Sequence, residues 1–114
     1  MNGDNPQVPR LVAEPERLIP ITVAASKVLG RGTVMGRVTA TGKYIESIKT
    51  AVDGSQCPIG ILAQEADARG ADVDNVGMYL AGVFNGRALI FDASWSIAAL
   101  KPALSPLNIF IRNG

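Results

Sequence analysis

The feature that most constrains the fold is segment 53–65, DGSQCPIGILAQE, in which a polar turn leads directly into an apolar stretch. Within that stretch, Ile59 and Ile61 share one face at the two-residue period of a β-strand, and Leu62 faces the opposite way. Both faces need cover from other parts of the chain, since an edge position would leave one of them in water. The sequence therefore predicts that residues 58–63 form a central strand.

Two residues of this strand constrain its backbone. Pro58 has no N–H to donate to a neighbouring strand, so it can only open the strand. Gly60 has no side chain to pack in mid-strand, and a glycine at such a position is typical of a β-bulge or of another group pressed against the backbone. We therefore expect other segments to pack closely around Gly60.

The composition is that of a single domain with more apolar surface than usual. A chain of 114 residues can remove roughly two thirds of its unfolded surface from water. Hydrophobic residues make up 47% of it and charged residues only 18%, against about 25% charged residues in an ordinary soluble domain. Some of the apolar surface is therefore expected to meet a partner.

The reactive side chains argue against most metal and redox sites. The single cysteine, Cys57, excludes an internal disulfide framework and a CxxC pair. Because the chain has no histidine, the usual zinc sites and histidine-based triads are also excluded. No basic residue or helix start adjoins Cys57, so we interpret it as a buried small hydrophobic residue rather than a reactive thiol. No cofactor and no metal ion are predicted.

The formal net charge of +1 conceals two oppositely charged segments. Residues 21–50 contain five basic and one acidic side chain, and residues 51–80 contain one basic and five acidic side chains. The basic residues are widely spaced and only Tyr44 accompanies them, so nucleic acid is not a predicted partner. A solvated face is the simpler interpretation, and contact of the two segments across a subunit boundary is the alternative.

No membrane segment is predicted. The chain has no apolar stretch of 18 residues, and its first ten residues lack the continuous apolar core of a signal peptide. We expect a soluble protein that is synthesised in the cytoplasm and does not bind membranes.

Residues 1–20, the N-terminal arm, hold four of the seven prolines and cannot form a regular helix. The sequence predicts an extended segment here and a β-rich domain over residues 21–114. The arm nevertheless carries apolar side chains, which a solvated tail does not need. We expect these side chains to bind a partner: Val8, Leu11, Val12, Leu18 and Ile19.

Three β elements are predicted between the arm and the central strand. Residues 21–29 open with a β-branched run, residues 33–40 alternate, and residues 43–50 form a mixed returning strand near an edge. In the alternating segment the predicted inward positions are Val34, Gly36, Val38 and Ala40, and the outward ones are Thr33, Arg37 and Thr39. The glycines at 30, 32 and 36 are spaced one residue too long for a dinucleotide fingerprint and lead into a strand, so they are interpreted as structural.

An acidic surface loop is predicted after the central strand. Residues 64–75 lack apolar periodicity and hold most of the acidic cluster. Asp67, Asp72 and Asp74 do not have the ligand spacing of an EF-hand or its terminal glutamate, so a calcium site is not predicted.

Three strands and a helix are predicted in the last third of the chain. Residues 76–84 form a second strong strand, and the Asn85-Gly86 pair indicates a hairpin returning through residues 87–91. Either Asp92 or Ser94 then caps a short helix through Leu100, limited by Pro102, and residues 107–112 form a closing strand. The fold class is mainly β: a small β-barrel or β-sandwich-like domain with one short helix and an extended N-terminal arm.

The order of these motifs resembles the lambda-type head decoration proteins of tailed bacteriophages. The resemblance spans about residues 30–114, and its order and spacing are more specific than any single motif. The shared features are an acidic loop and a set of residues to which the resemblance assigns structural roles. These residues are Gly32, Gly36, Gly42, Asp53, Gly54, Gly60, Ile61, Leu62 and Gly82.

The resemblance implies a non-enzymatic β-rich subunit that forms a homotrimer. Members of this family sit on the outer surface of the expanded capsid at threefold and quasi-threefold positions, where they cement and stabilise neighbouring copies of the major capsid protein. Its implied location is the virion. No motif matches residues 1–29, so a capsid-binding role for the arm follows from the family's use of its N-terminal segment and from the apolar residues named above.

Two other classes compete with this interpretation. An enzyme is disfavoured, since without histidine the acid–base work would fall to carboxylates or lysines, and no suitable carboxylate pair stands out. A small-ligand or carbohydrate-binding β module would need exposed aromatic residues around a cleft. The only tryptophan, Trp95, is instead predicted to lie in the core or at a subunit interface.

Overall fold

Both faces of the apolar stretch that follows Asp53 and Gly54 are covered in the structure, a computed structural model that describes residues 17–112. This range contains nine strands, one α-helix and two 3₁₀ helices, Gly86–Ala88 and Ser105–Leu107. The other elements are β1 (Leu18–Val23), β2 (Val28–Leu29), β3 (Val34–Arg37), β4 (Tyr44–Glu46), β5 (Pro58–Leu62), β6 (Ala66–Asp67), β7 (Val73–Tyr79), β8 (Gly82–Asn85), α1 (Ile97–Leu104) and β9 (Ile109–Arg112).

Five strands close into a barrel in the order β1-β4-β3-β5-β7. The predicted central strand is confirmed, because β5 pairs antiparallel with β3 on one side and with β7 on the other. The barrel closes where β1 pairs antiparallel with β7 and meets β4 in parallel at Val23 and Tyr44. The predicted edge position of β4 is therefore wrong, since closure of the barrel places it between β1 and β3.

The structure has both features that Gly60 was predicted to indicate, a β-bulge and a group pressed against the backbone. Met35 pairs with Gly60 and Gly36 with Pro58, so Ile59 is the extra residue of a bulge in β5. A Cβ atom on Gly60 would lie 2.7 Å from Sδ of Met78 and 2.8 Å from the backbone oxygen of Tyr79. The missing side chain therefore allows β7 and its methionine to approach β5 closely.

The core consists of two clusters on opposite faces of β5. The inner cluster combines fully buried Leu62 and Met78 with side chains from β1, β3 and β7 and from the small β2–β6 sheet. The outer cluster combines fully buried Ile61 with α1, β8 and β9. Because neighbouring residues of a strand point to opposite faces, Ile61 and Leu62 serve different clusters. The predicted mainly β fold, with a barrel and one short helix, is confirmed.

The predicted faces of segment 33–40 are partly wrong at its ends. Thr33 is buried at 2% exposure rather than outward-facing, because its hydroxyl donates to the Gly30 carbonyl at 2.7 Å and its backbone bridges to Ile90. Ala40 is exposed rather than inward-facing, since β3 ends at Arg37 and residues 39–41 form a turn.

The predicted acidic loop and the second predicted strand do not keep their predicted boundaries in the structure. Residues 64–75 include β6 and the start of β7, and Ala66 and Ala68 are buried against the inner cluster. The predicted strand 76–84 is interrupted at residues 80–81. This break allows Val76 and Met78 to serve the inner cluster on β7 while Phe84 on β8 serves the outer one.

The predicted Asn85-Gly86 hairpin is wrong. Asn85 has an extended backbone with φ of −81°, and its side-chain oxygen accepts a hydrogen bond from the Arg87 N–H, which begins a 3₁₀ helix. This local hydrogen bond replaces the positive-φ turn that a tight hairpin needs. The partner of β8 is instead β9, which pairs with it in parallel from Gly82 and Ile109 onward.

The helix begins later than predicted. Its N-cap is Ser96, whose hydroxyl oxygen accepts from the Ala99 N–H at 3.2 Å, while Asp92 and Ser94 belong to the preceding turn. Pro102 lies within the helix rather than limiting it. Within residues 17–112, no helix has the length and apolar character needed to cross a membrane. The closing strand is confirmed as β9.

Replacing Gly60 by alanine should lower the free energy of unfolding by about 1–3 kcal/mol, the usual cost of inserting a methyl group into a packed site. The flexible end of Met78 is able to move aside, but the oxygen of Tyr79 belongs to the backbone of β7. Urea unfolding followed by circular dichroism measures the change.

Gly70→Ala is the matched control, because no atom lies within 4 Å of the position its Cβ would take. This variant should unfold within about 0.5 kcal/mol of the wild type. Equal stability of the Gly60 and Gly70 variants would contradict the close packing of β5 against β7.

Candidate binding surfaces

The described part of the chain includes only two of the five predicted capsid-binding residues of the arm. Leu18 and Ile19 lie in β1, where they pair with Tyr79 and Met78 of β7. Leu18 points outward and is 57% exposed, whereas Ile19 packs partly against the inner cluster. Val8, Leu11 and Val12 lie outside the described residues. The capsid-binding role of all five residues stays a prediction.

The base of the arm is fixed to the barrel. The Leu80 N–H donates to the carbonyl oxygen of Arg17 at 2.7 Å, directly before β1 begins. Two residues later, the Gly82 N–H donates to the Asn108 carbonyl at 3.0 Å. The point from which the arm leaves therefore lies beside the junction of β7, β8 and β9.

The Asp53–Ser55 turn is held by its own side chains. The Asp53 carboxylate accepts hydrogen bonds from the backbone N–H of Ser55 at 3.0 Å and from its hydroxyl at 2.5 Å. These bonds, the hydroxyl first, hold the pKa of Asp53 below its ordinary value. Gly54 has φ of +106°, a conformation that suits glycine, and the Asp53 carbonyl accepts from the Thr39 N–H at 2.9 Å.

A buried polar chain connects this turn to the layer that contains α1. The Ser47 hydroxyl donates to the Ser55 carbonyl at 2.7 Å and accepts from the indole N–H of Trp95 at 3.2 Å. Trp95 lies in the outer cluster, so its predicted core position is confirmed. Gly36 leaves room for the Ser55 backbone, with which any Cβ atom would collide. The two buried serines were missed by the sequence analysis, because nothing in their sequence neighbourhood distinguishes them from surface serines.

The remaining residues of the family motifs are distributed through the barrel and its turns. Three glycines have positive φ and lie before β3, before β4 and at the start of β8, while the two large apolar residues are fully buried in the two clusters. These residues are Gly32, Gly42 and Gly82, and Ile61 and Leu62. They shape the scaffold and bring no reactive groups together.

Cys57 is exposed, which corrects its predicted burial. It follows the Asp53–Ser55 turn and comes immediately before β5, so the strand's burial begins one residue later, at Pro58. The predicted acidic loop does not gather its carboxylates. Within residues 17–112 there is no group of three cysteine or acidic side chains placed to hold a metal ion.

Several charged side chains of the two oppositely charged segments pair within the chain. Lys43 Nζ lies 2.6 Å from the Asp72 carboxylate and so joins the basic segment to the acidic one. This contact, followed by the Ala25 N–H, holds the pKa of Asp72 below its ordinary value. Part of the charge that was predicted to be available between subunits is therefore used inside one protomer.

The described surface includes a larger and a smaller cleft. The larger, of about 450 Å³, is polar and contains a single aromatic residue, Tyr44. The smaller, of about 190 Å³, is lined mainly by apolar residues of β2 and of segment 90–92. A carbohydrate-binding site would require more exposed aromatic surface than the larger cleft offers.

The largest exposed apolar side chains are not confined to one patch. Val28 and Ile90 flank the smaller cleft, and Phe110 projects from β9. The alternation of Ile109 and Ile111 with Phe110 gives a sequence signal for the exposure of this phenylalanine. No comparable signal marks Val28 and Ile90, which become neighbours only through tertiary folding.

Asp53→Asn should reduce the stability at neutral pH and make stability less dependent on pH below about 4. Because the folded-state pKa of Asp53 is lowered, its contribution is present above the unfolded pKa and is lost as pH falls through the folded pKa. Urea unfolding at pH 7 and at acidic pH measures both effects. Glu65→Gln, which removes an exposed charge without a described hydrogen bond, is the control. The same pH profile for wild type and Asp53→Asn would contradict a stabilising role of the carboxylate.

Comparison with known proteins identifies a family for the described part of the chain. A family model described as bacteriophage lambda head decoration protein D matches residues 17–110, which include almost all of the described structure. A search of curated proteins finds no match. The matched family is a structural class found on the phage capsid rather than a class of enzymes. The chain therefore belongs to the bacteriophage lambda head decoration protein D family.

Proposed function

We propose that this protein is a cement subunit that binds the outer surface of the expanded phage head as a homotrimer, at threefold and quasi-threefold sites, and stabilises the shell. The observation that carries the proposal is the family match over the whole barrel. On this proposal the protein is synthesised in the host cytoplasm, binds the major capsid protein, and acts without catalysis or a cofactor. Its surface chemistry fits, because the described residues include large exposed apolar side chains that are available for contacts.

The arm is the proposed first contact with the major capsid protein. Its root is held at Arg17, so the segment available for the shell is residues 1–16 together with exposed Leu18. We infer that short stretches such as residues 10–14 add extended backbone to an exposed strand edge of the shell protein. The prolines block pairing at their own positions and keep these stretches short.

Avidity is what makes such a weak contact useful. Ordering about ten arm residues costs on the order of 10 kcal/mol of backbone entropy, which leaves a modest affinity for one arm. In a trimer, attachment of the first arm holds the other two near the shell at an effective concentration near the millimolar range. The combined affinity then exceeds that of one arm by about 10² to 10⁴.

The decoration function is tested by mixing the purified protein with expanded capsids that lack it. Saturable attachment and increased resistance of the capsids to heat or chelators are expected. Absence of attachment to the matured capsid of its own phage would overturn the proposed function.

Removal of residues 2–16 should leave a folded barrel that no longer decorates capsids. The cut is placed before Arg17, because deletion through residue 20 would also remove β1 residues that pair with β7. Circular dichroism reports the fold, and co-sedimentation with capsids reports binding. A truncated protein that saturates capsids with unchanged affinity would show that the barrel alone makes the contact.

The apolar side chains of the arm are tested by Leu11→Asp with Val12→Asp, which should weaken capsid attachment at least tenfold while the barrel unfolds as in the wild type. Asn5→Asp with Gln7→Asp introduces the same charge without removing apolar groups and is the control. Equal losses in both double variants would assign the effect to charge alone.

Sedimentation equilibrium at micromolar concentration should show a trimer whose stability changes little with salt. Exposed ion pairs contribute only about 0–1 kcal/mol each, so buried apolar surface has to supply most of the association energy. A monomer at both low and high salt would contradict the homotrimer. Strong weakening by salt would instead assign the association mainly to the two charged segments.

A further inference from the structure

The smaller cleft is a rigid apolar groove. Val28 and Ile90, which are 62% and 50% exposed, stand on its sides together with Phe91. The backbone of Ile90 is fixed on both sides, since its N–H donates to the Gly32 carbonyl at 2.9 Å and its carbonyl accepts from the Val34 N–H at 2.8 Å. The groove is therefore formed before any partner arrives.

The volume of the groove suits one aromatic ring. It measures about 190 Å³, and an apolar protein cavity of about 150 Å³ is sufficient for a benzene molecule. Exposed large apolar groups around a concave site are typical of interaction surfaces. The groove is thus a socket for a single large side chain rather than a flat patch.

A matching projection lies on the outer face of the β8–β9 sheet. Ile109 and Ile111 point into the outer cluster, so Phe110 and Arg112 point away from it. Among the aromatic residues in positions 17–112, Phe110 is the most exposed, at 48%. Val83 lies beside it in the parallel register and completes a small apolar ridge.

The charges next to the groove and the ridge are opposite. The groove is lined by the carboxylates of Glu46 and Asp92 and by no basic side chain. Glu46 is already compensated, because Lys27 Nζ lies 3.0 Å from it. The Asp92 carboxylate accepts hydrogen bonds from the Ser94 side chain and N–H and lies within electrostatic reach of Lys27, which together hold its pKa below the ordinary value. On the ridge, Arg112 is exposed and has no ion-pair partner in the described range.

We propose that the groove of one protomer receives Phe110 of a second copy of this chain, with Arg112 of that copy beside Asp92. The groove and the ridge share no residue, so each protomer presents both halves of the contact. Contacts between two different surfaces are head-to-tail and close into rings when the rotation permits. The inference rests on the proposed homotrimer and names the surfaces that build it.

Phe110→Ala should raise the dissociation constant of the trimer at least tenfold, because a buried aromatic anchor dominates the energy of such contacts. Val52→Ala removes an almost fully exposed apolar side chain elsewhere and should leave association unchanged. Sedimentation equilibrium measures association, urea unfolding confirms that each variant is folded, and capsid co-sedimentation is recorded in parallel.

A cross-linking experiment tests the contact by covalent capture, which still detects the pairing when loss of the Phe110 ring weakens association. In a Cys57→Ser background, Val28→Cys combined with Phe110→Cys should form disulfides between protomers under mild oxidation, giving covalent dimers and trimers on denaturing gels. Val52→Cys combined with Phe110→Cys is the control and should remain monomeric on the same gels.

The possible results separate this contact from the decoration function. The contact is overturned if Phe110→Ala associates as tightly as the wild-type trimer and no cross-link forms at the groove. The homotrimer then remains intact. An intact Phe110→Ala trimer that no longer attaches to capsids also overturns it, and assigns the ridge to the shell. A wild-type monomer that still decorates capsids removes the homotrimer, and this contact with it, from the proposed function.

Discussion

The structure depends on burying β5 on both faces. Ile61 and Leu62 are adjacent and fully buried, so one side of the strand needs a barrel interior and the other needs a second layer. Burial of one large aliphatic side chain contributes about 1.5–3 kcal/mol, which makes these faces costly to leave uncovered. The barrel supplies the first cover, and α1 with the β8–β9 sheet supplies the second. The bulge at Ile59 and the missing side chain at Gly60 allow both layers to fit.

The second layer is joined to the rest of the molecule by polar contacts as well as apolar ones. Trp95, Ser47 and Ser55 form a continuous buried hydrogen-bonded chain from the outer cluster to the turn that precedes β5. Leaving such groups unpaired would cost about 1–3 kcal/mol each, so the chain favours one arrangement of the turn. Asp53 fixes the same turn from the solvent side. Under the proposed cement function this rigidity is an advantage, because a preformed surface loses less entropy on binding.

Fewer charged side chains are available for contacts with a partner than their number suggests. Lys43 pairs with Asp72 and Lys27 with Glu46 inside one protomer, which leaves fewer charges for contacts between molecules. The apolar excess of the composition is the stronger clue to function, since exposed Val28, Ile90 and Phe110 are well separated in sequence and lie on β2, on the bridge to Thr33 and on β9. In the proposed function the arm adds a further contact, and Arg17 at its base is hydrogen-bonded to Leu80 beside the junction of β7 and β8. The proposed homotrimer would combine this apolar surface with three arms, which is a physically consistent way to hold neighbouring shell subunits together.

The sequence by itself determined those features that depend on neighbouring residues. The two-residue period around Ile61 identified the central strand, Gly60 identified its close approach, and the order of motifs identified the family. Tertiary structure decided the features that depend on distant partners. The expected Asn85-Gly86 hairpin is absent, since Asn85 caps a 3₁₀ helix and β8 pairs instead with β9 from the far end of the chain. The exposure of Cys57 and the groove beside Ile90 were likewise decided by the packing of segments that the chain alone does not place together.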